Sequence, residues 1–316
     1  MVIIVIRIKY KCRDHINRLA LEEFAQVPPA ITRFAPSPTG HLHLGHAFSA
    51  LYAERAAKTD GGRFLLRIED IDGTRCRPEY STAIEDDLAW LGLGWELPVR
   101  RQSEHMDEYR HALSRLQEED LVYPCFCTRK EILAEIASSA GAPHARGQGP
   151  EGPLYPGTCR AMDVEERGAH IASGAPFALR IDMARARART DLAPEPLTWI
   201  DRDAGVQIAA PEIFGDAVLA RKDIPTSYHL SAVLDDHAQG INLVTRGDDL
   251  RSAAHLHRLI QALLELDVPE YRFHGLVTGP DGQRLAKRDN PATLQNLRSE
   301  GASPADVIAM TGIDET

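Results

Sequence analysis

A chain of 316 residues with 46 Asp and Glu against 36 Lys and Arg carries a formal charge of −10, which excludes general affinity for nucleic acid and leaves only local basic patches. No apolar run reaches membrane-spanning length, and the apolar residues 2–6 are interrupted too soon by Arg7, Lys9 and Lys11 to form a signal sequence, so a cytoplasmic protein with no membrane partner is expected. Five cysteines, odd in number and unevenly spaced, argue against a disulfide framework and favour metal ligation by a clustered subset.

Residues 1–29 read as an appended segment ending at Pro28 and Pro29. From 30 to 124 the pattern alternates. A strand runs into the segment that starts at Arg33, a helix follows to about Lys58, and Arg63 to Ile68 reads as a strand; helices around 79–92 and 104–119 and a short strand at 121–123 come next. Strands alternating with helices imply a parallel, doubly wound α/β sheet, which binds ligands beyond the carboxyl ends of its strands. Residues 137–158, rich in Gly, Pro and Ala, predict a mobile loop. Strand-like runs follow at 177–182, 197–201 and 216–221, then a helix near 226–237, a strand over 241–245 and a helix at 252–266. After residue 290 there is room for two short helices. Arg185, Arg187 and Arg189 alternate, which puts them on one face if extended, as a solvated edge strand or an RNA contact.

Residues 33–46 are the most informative stretch. They read Arg33-Phe34-Ala35-Pro36-Ser37-Pro38-Thr39-Gly40-His41-Leu42-His43-Leu44-Gly45-His46, a strand end, a Pro/Gly turn and a helix start with two histidines three residues apart on one side. Thr39 and Gly40 fall where a helix cap belongs, so backbone N–H groups and the helix dipole would face an anion. Gly45 would let a flat ring lie against the backbone, and His43 and His46 could donate to phosphoryl oxygens. Further on, Cys125, Cys127 and Cys159 supply three corners of a tetrahedral zinc site, or else three small buried hydrophobes.

The histidine segment resembles the HIGH signature of class I aminoacyl-tRNA synthetases in its glutamyl and glutaminyl form, and the likeness recurs along most of the chain. It implies a Rossmann-type parallel sheet in two halves, 30–124 and 201–289, around an inserted zinc-binding subdomain at 125–200, with short C-terminal helices at 290–316. It implies ATP contacts from Pro38, Gly40, His43, Gly45 and His46. For glutamate it implies Arg33, Ala35, Ser37, Glu69 of the Arg67-Ile68-Glu69-Asp70 segment, Tyr228 and Arg246. Residues 284–288, Arg284-Leu285-Ala286-Lys287-Arg288, resemble the KMSKS loop, with Arg284 in place of the first lysine and Ala286 in place of the serine. Lys287 falls at the second lysine and, with His43 and His46, is the expected catalytic set. The short glutamyl-Q tRNA(Asp) synthetases share the cysteine pattern followed by a tyrosine, so Cys125, Cys127, Tyr155 and Cys159 are the implied ligands of one structural zinc, with His144 and His170 as fallbacks for the fourth position.

Two arginines able to grip carboxylates beside one glutamate suit a substrate with two carboxylates and an amine. The resemblance selects glutamate over aspartate. With only residues 290–316 after the loop, no anticodon-reading domain is expected. The implied reaction is glutamyl-adenylate formation from ATP with Mg2+, then transfer of glutamate to the queuosine base of tRNA(Asp), by a monomer. A truncated glutamyl-tRNA synthetase, a small-molecule nucleotidyltransferase and a non-catalytic RNA-binding module are the alternatives.

Overall fold

The computed structural model describes residues 28–138, 147–192, 195–275 and 292–313. In chain order the elements are β1 (Ile31–Phe34), α1 (Leu44–Thr59), β2 (Arg63–Ile68), α2 (Pro78–Trp90), β3 (Glu96–Arg101), α3 (Met106–Glu118), β4 (Val122–Cys125), α4 (Arg129–Ser138), β5 (Gln148–Gly149), β6 (Gly152–Pro153), α5 (Val164–Ala172), β7 (Ala178–Ile181) and α6 (Met183–Thr190). They continue with β8 (Thr198–Asp201), β9 (Gly205–Ile208), β10 (Val218–Ala220), α7 (Tyr228–Ala238), β11 (Leu243–Gly247), α8 (Ala253–Leu264), β12 (Glu270–His274), α9 (Leu294–Ser299) and α10 (Pro304–Thr311).

The parallel sheet comes in two pieces. One is β1-β2-β3, all parallel; in the other β11, β12 and β8 are parallel and β9 is an antiparallel edge. β1 and β11 lie side by side and join the pieces. At their amino ends Ile31 N–H donates to Asn242 Oδ1 at 2.6 Å, Asn242 N–H donates to the Ile31 carbonyl at 3.2 Å, and Asn242 Nδ2 donates to the Pro29 carbonyl at 3.0 Å. At their carboxyl ends Arg33 Nη1 reaches the Thr245 carbonyl at 3.2 Å. The chain thus turns outwards in opposite directions from a β1/β11 junction, the kind of switch point where such sheets open a crevice.

Local sequence explains the elements at that crevice. β2 is a central strand with Leu66 and Ile68 fully buried, each contributing ~1.5–3 kcal/mol. Helix α1 turns small residues, Ala47, Ala50, Ala53 and Ala57, inward, and the close approach they permit is visible where Thr32 Oγ1 donates to the Ala53 carbonyl at 2.7 Å. Gly62 ends the α1–β2 turn with its Cα against Ala30; a Cβ there would lie 1.8 Å from the Ala30 carbonyl oxygen. The same core takes in Leu294 and Val307 of the C-terminal helices, so those helices pack on α1.

Apart from the parallel sheet, β4, β7 and β10 form a separate antiparallel sheet in the order β10-β7-β4. Several expectations change here. Residues 185–189 are helical in α6, because Asp182 caps the helix by accepting the Arg185 N–H at 3.1 Å. Helical spacing separates Arg187 from the other two, and all three are paired with acids: Arg185 with Asp182, Arg187 with Asp191, and Arg189 with Glu119. In the stretch expected to be a mobile loop, β5 and β6 form a hairpin at 148–153 in which a Cβ on Gly149 would meet Leu154 and the Ile213 carbonyl below 3 Å. Strands β3, β9 and β12 and helices α4 and α5 went unread in the sequence; β3 and β9 expose much of their apolar surface and so lack a clean alternation. No helix among the described residues is long and apolar enough to cross a membrane.

Because Asn242 is the side chain stitching β1 to β11, Asn242→Ala should lower the urea midpoint by the equivalent of about 1–3 kcal/mol without changing the slope. A midpoint within error of wild type would show the junction holds without it.

Candidate active site

A cavity of about 590 Å³ opens at the carboxyl ends of β1 and β11. Of the residues singled out in the sequence, Arg33, Ala35, Ser37, Gly40, His43, His46, Glu69, Tyr228 and Arg246 all line it, from four separate stretches of chain. Pro38 and Gly45 do not. Pro38 is buried behind the turn, its carbonyl accepting the Arg77 N–H at 3.0 Å, and Pro36 lines the cavity instead. Arg284, Leu285, Ala286, Lys287 and Arg288 lie outside the described residues, as does His144. The two flanks of that segment are placed: Thr293 lines the cavity and bridges His43, and His274 meets Ser49 of the cavity wall at 3.1 Å.

The helix cap is His43, not Thr39 or Gly40. Its Nδ1 accepts the Gly45 N–H at 3.1 Å, and the His43 N–H is in turn accepted by His46 Nδ1 at 3.3 Å, a reciprocal capping box built from two histidines. Since each Nδ1 is an acceptor, each neutral ring carries its proton on Nε2. The missing Cβ of Gly45 serves this cap, because a Cβ there would stand 3.1 Å from His43 Cε1. The rings lie 3.8 Å apart, so two outward N–H donors are held as a pair.

Beneath the other end of the cavity is a buried charge cluster. Asp236 accepts Arg33 Nε at 2.8 Å, Arg33 Nη2 at 3.4 Å and Arg67 Nη1 at 2.8 Å. Arg67, fully buried in β2, also donates to Glu69 at 3.2 Å and Gln239 at 3.0 Å. Asp235 accepts from Arg100, Gln102 and Tyr109 at 2.7–2.9 Å. Burial of Asp236 is outweighed by Arg33 and Arg67, which hold its carboxyl at about 2. Burial raises Glu69 above the usual carboxylate range, against the pull of Arg67 and Arg33.

The two arginines expected to grip carboxylates are therefore not equivalent. Arg33 is committed to Asp236 and the Thr245 carbonyl, with one N–H left on each of Nη1 and Nη2. Arg246 is buried, and its Nε and Nη2 have no hydrogen-bond partner. Over the whole cluster four guanidinium groups, Arg33, Arg67, Arg100 and Arg246, face four carboxylates, Glu69, Asp235, Asp236 and, on Arg100, Glu108.

Arg67, Asp235 and Asp236 had no role in the sequence reading, although an arginine inside an apolar strand and two acids inside the apolar helix Tyr228–Ala238 were the available signals. His41 is a further addition, lining the cavity with a buried, unpartnered Nδ1.

Some distance along the inserted region, Cys125, Cys127 and Cys159 hold their sulfur atoms within 4.8 Å of one another. Cys127 Sγ lies 3.4 Å from Cys159 Sγ and 3.5 Å from the Tyr155 hydroxyl, which itself accepts the Cys159 N–H at 2.9 Å. Ligands ~2.3 Å from a tetrahedral centre stand roughly 3.8 Å apart, so this cluster has the size of a metal site. Burial pushes the Cys127 thiol up to about 12. His170 instead stacks on Phe126 at 4.8 Å and is not part of the cluster.

Comparison with known proteins follows this geometry. The model of the family "tRNA synthetases class I (E and Q), catalytic domain" matches residues 30–312. The chain is 48% identical over 285 residues to the glutamyl-Q tRNA(Asp) synthetase of Rhodobacter capsulatus, covering 90% of this chain and all of that one, and 43% identical to the Symbiobacterium thermophilum protein of the same name, covering 87% and 83%. Among solved structures it is similar to a glutamate tRNA ligase from Elizabethkingia meningosepticum in complex with its amino acid, with TM-score 0.66 and 28% identity over 83% of this chain. It spans about half of that ligase, 52%. The chain belongs to the class I tRNA synthetase family specific for glutamate and glutamine.

Removing Asp236 leaves two buried guanidinium groups without their shared anion, so Asp236→Asn should cost about 3–5 kcal/mol in urea unfolding. The carboxyl sits at about 2 in the fold and near 3.9 when unfolded, so its contribution is complete above roughly pH 4 and is lost as pH falls towards 2. Stability of Asp236→Asn should therefore fall less than wild type over that window, and a parallel pH profile would contradict this.

Proposed function

We propose that this protein joins L-glutamate to AMP and passes the glutamyl group to the queuosine base of tRNA(Asp). The observation that carries the amino-acid half is Arg246, a buried guanidinium that lines the cavity beside Glu69 and has hydrogen-bonding capacity left on Nε and Nη2. A carboxylate completes Arg246, and an ammonium beside Glu69 brings that carboxyl back towards its charged form. Glutamate supplies both. The acceptor half is supported by the names of the relatives at 48% and 43% identity.

In the first step an α-carboxylate oxygen of glutamate bonds to the α-phosphorus of ATP while the bond to the pyrophosphate oxygen breaks in line. His43 and His46 donate Nε2–H to phosphoryl oxygens as charge develops, held in place by the capping box and needing no change of tautomer. Lys287 joins them from the segment whose flanks meet the cavity at His274 and Thr293. Mg2+ bound to ATP supplies charge neutralisation on the triphosphate. In the second step the acceptor hydroxyl attacks the acyl carbon, its proton departs, and AMP leaves. We assign Cys125, Cys127, Tyr155 and Cys159 to one structural zinc, which would brace the inserted region where the chain leaves β4.

The test supplies labelled glutamate, ATP and two tRNA pools, with and without queuosine. Label confined to the queuosine pool and retained after removal of the terminal adenosine is the expected result; label lost with that adenosine would identify a glutamate-tRNA ligase. In glutamate-dependent pyrophosphate exchange, Arg246→Gln should raise the KM for glutamate by about 100-fold, as expected for two charge-assisted hydrogen bonds. An unchanged KM would place the substrate carboxylate elsewhere. Cys159→Ser should lower zinc content and thermal stability together; full metal stoichiometry would remove Cys159 from the ligand set.

A further inference from the structure

Behind the amino-acid end of the cavity, two histidines with no part in the chemistry above lead away from Arg246 towards the inserted hairpin. Arg246 Nη1 lies 3.5 Å from His257 Nδ1, His257 Nε2 lies 3.2 Å from His229 Nδ1, and His229 Nε2 lies 2.8 Å from Glu151 Oε1. These four residues come from β11, α8, the first turn of α7 and the turn between β5 and β6. Both histidines are buried, whereas the Glu151 side chain is 63% exposed.

The two ends of the chain impose its direction. A guanidinium only donates and an ionised carboxylate only accepts. His257 Nδ1 must then accept from Arg246, which leaves the proton of a neutral ring on Nε2. That N–H donates to His229 Nδ1, and the remaining proton of His229, on Nε2, donates to Glu151. Only this arrangement satisfies every member with both rings neutral. Burial and the Arg246 charge push His257 well below the ordinary histidine range, and the hydrogen bond from His229 holds the Glu151 carboxyl below its own. The other groups facing the pair are the rings of Tyr228 and Phe214, with Arg33 and Arg67 adding to the positive field on His257. A histidine pair that merely filled the core would have no need of an exposed carboxylate at its outer end.

We propose that Glu151, His229 and His257 form a positioning relay that holds Arg246 through Nη1 and so fixes the guanidinium that receives the side-chain carboxylate of the amino-acid substrate. The proposal rests on the reading of Arg246 as the carboxylate site. Without Glu151 the Nε2–H of His229 loses its acceptor and only Arg246, from the far end of the chain, still favours that tautomer. The other tautomer sets two N–H groups against each other, and the conflict is relieved only by turning an N–H of His257 towards Arg246. The guanidinium then shifts. Docking of the β5–β6 hairpin thereby sets the affinity for the amino acid without touching it.

The relay is tested by pyrophosphate exchange with the full chain, varying glutamate and ATP separately in wild type, Glu151→Ala, His257→Leu and His257→Asn. Glu151→Ala should raise the KM for glutamate about 5-fold with kcat and the KM for ATP within about twofold, the scale of one hydrogen bond. His257→Leu should raise it about 30-fold. In His257→Asn the amide oxygen can stand near the Nδ1 position, and most of that loss should be recovered. In the double variant Glu151→Ala/His257→Leu the first change should add nothing to the second. Additive losses, an equal rise in the KM for ATP, or wild-type glutamate KM in Glu151→Ala would overturn the relay. If His257→Leu does not fold, Glu151→Ala, on an exposed turn, decides alone. Absence of glutamate-dependent exchange in wild type would instead remove the reading of Arg246, and the relay with it.

Discussion

One carboxylate, Asp236, is shared by two buried guanidinium groups, and the amino-acid end of the crevice depends on it. Arg33 comes from β1, Arg67 from β2 and Asp236 from α7, so the contact spans both halves of the parallel sheet. Burying three charges is costly unless they find partners, and here each has an opposite charge within 3 Å, although Arg67 Nε makes no hydrogen bond. The result is a rigid floor whose charges are almost balanced. Arg246, which has neither an ion pair nor a hydrogen-bond partner on Nε and Nη2 among the described residues, is then the guanidinium with most capacity left for a ligand.

The phosphate end follows a different principle. In His43 and His46 Nδ1 satisfies backbone N–H groups at the start of α1, which leaves the proton of each neutral ring on Nε2, and both residues line the cavity. A helix start usually leaves such N–H groups to water or to an anion. Here the capping box takes them, so an incoming phosphate meets oriented imidazole donors whose tautomer the backbone has already set. Gly45 gives the capping ring room, because a Cβ there would crowd it at 3.1 Å.

The inserted region is tied to this crevice by polar contacts at more than one point. Arg221, beyond β10, reaches Asp72 after β2 at 3.0 Å, and the β5–β6 hairpin reaches α7 through Glu151 and His229. The cysteine cluster sits on the same region, at the end of β4 and beyond the hairpin. Packing that joins a small antiparallel sheet to a parallel one through charged side chains leaves its position sensitive to what binds at either end.

Sequence alone determined the class of fold, because alternating strands and helices admit few arrangements, and it singled out the histidine segment and the cysteines, whose residues are contiguous or closely spaced, whereas Glu69 was singled out only by the family resemblance. Helix and strand positions were legible where apolar periodicity was strong, as in α1, β2 and α8, and illegible where edge strands such as β9 expose apolar side chains or where a single capping aspartate, Asp182, turned an alternating basic run into a helix. Only the tertiary structure decided which arginine holds the floor and which faces the cavity. Arg33 and Arg246 are the same residue type, and their difference lies in Asp236 and Thr245, about two hundred positions from Arg33 in the chain. Charge pairing across such separations is set by how the two halves of the sheet meet at β1 and β11, and no local pattern encodes that.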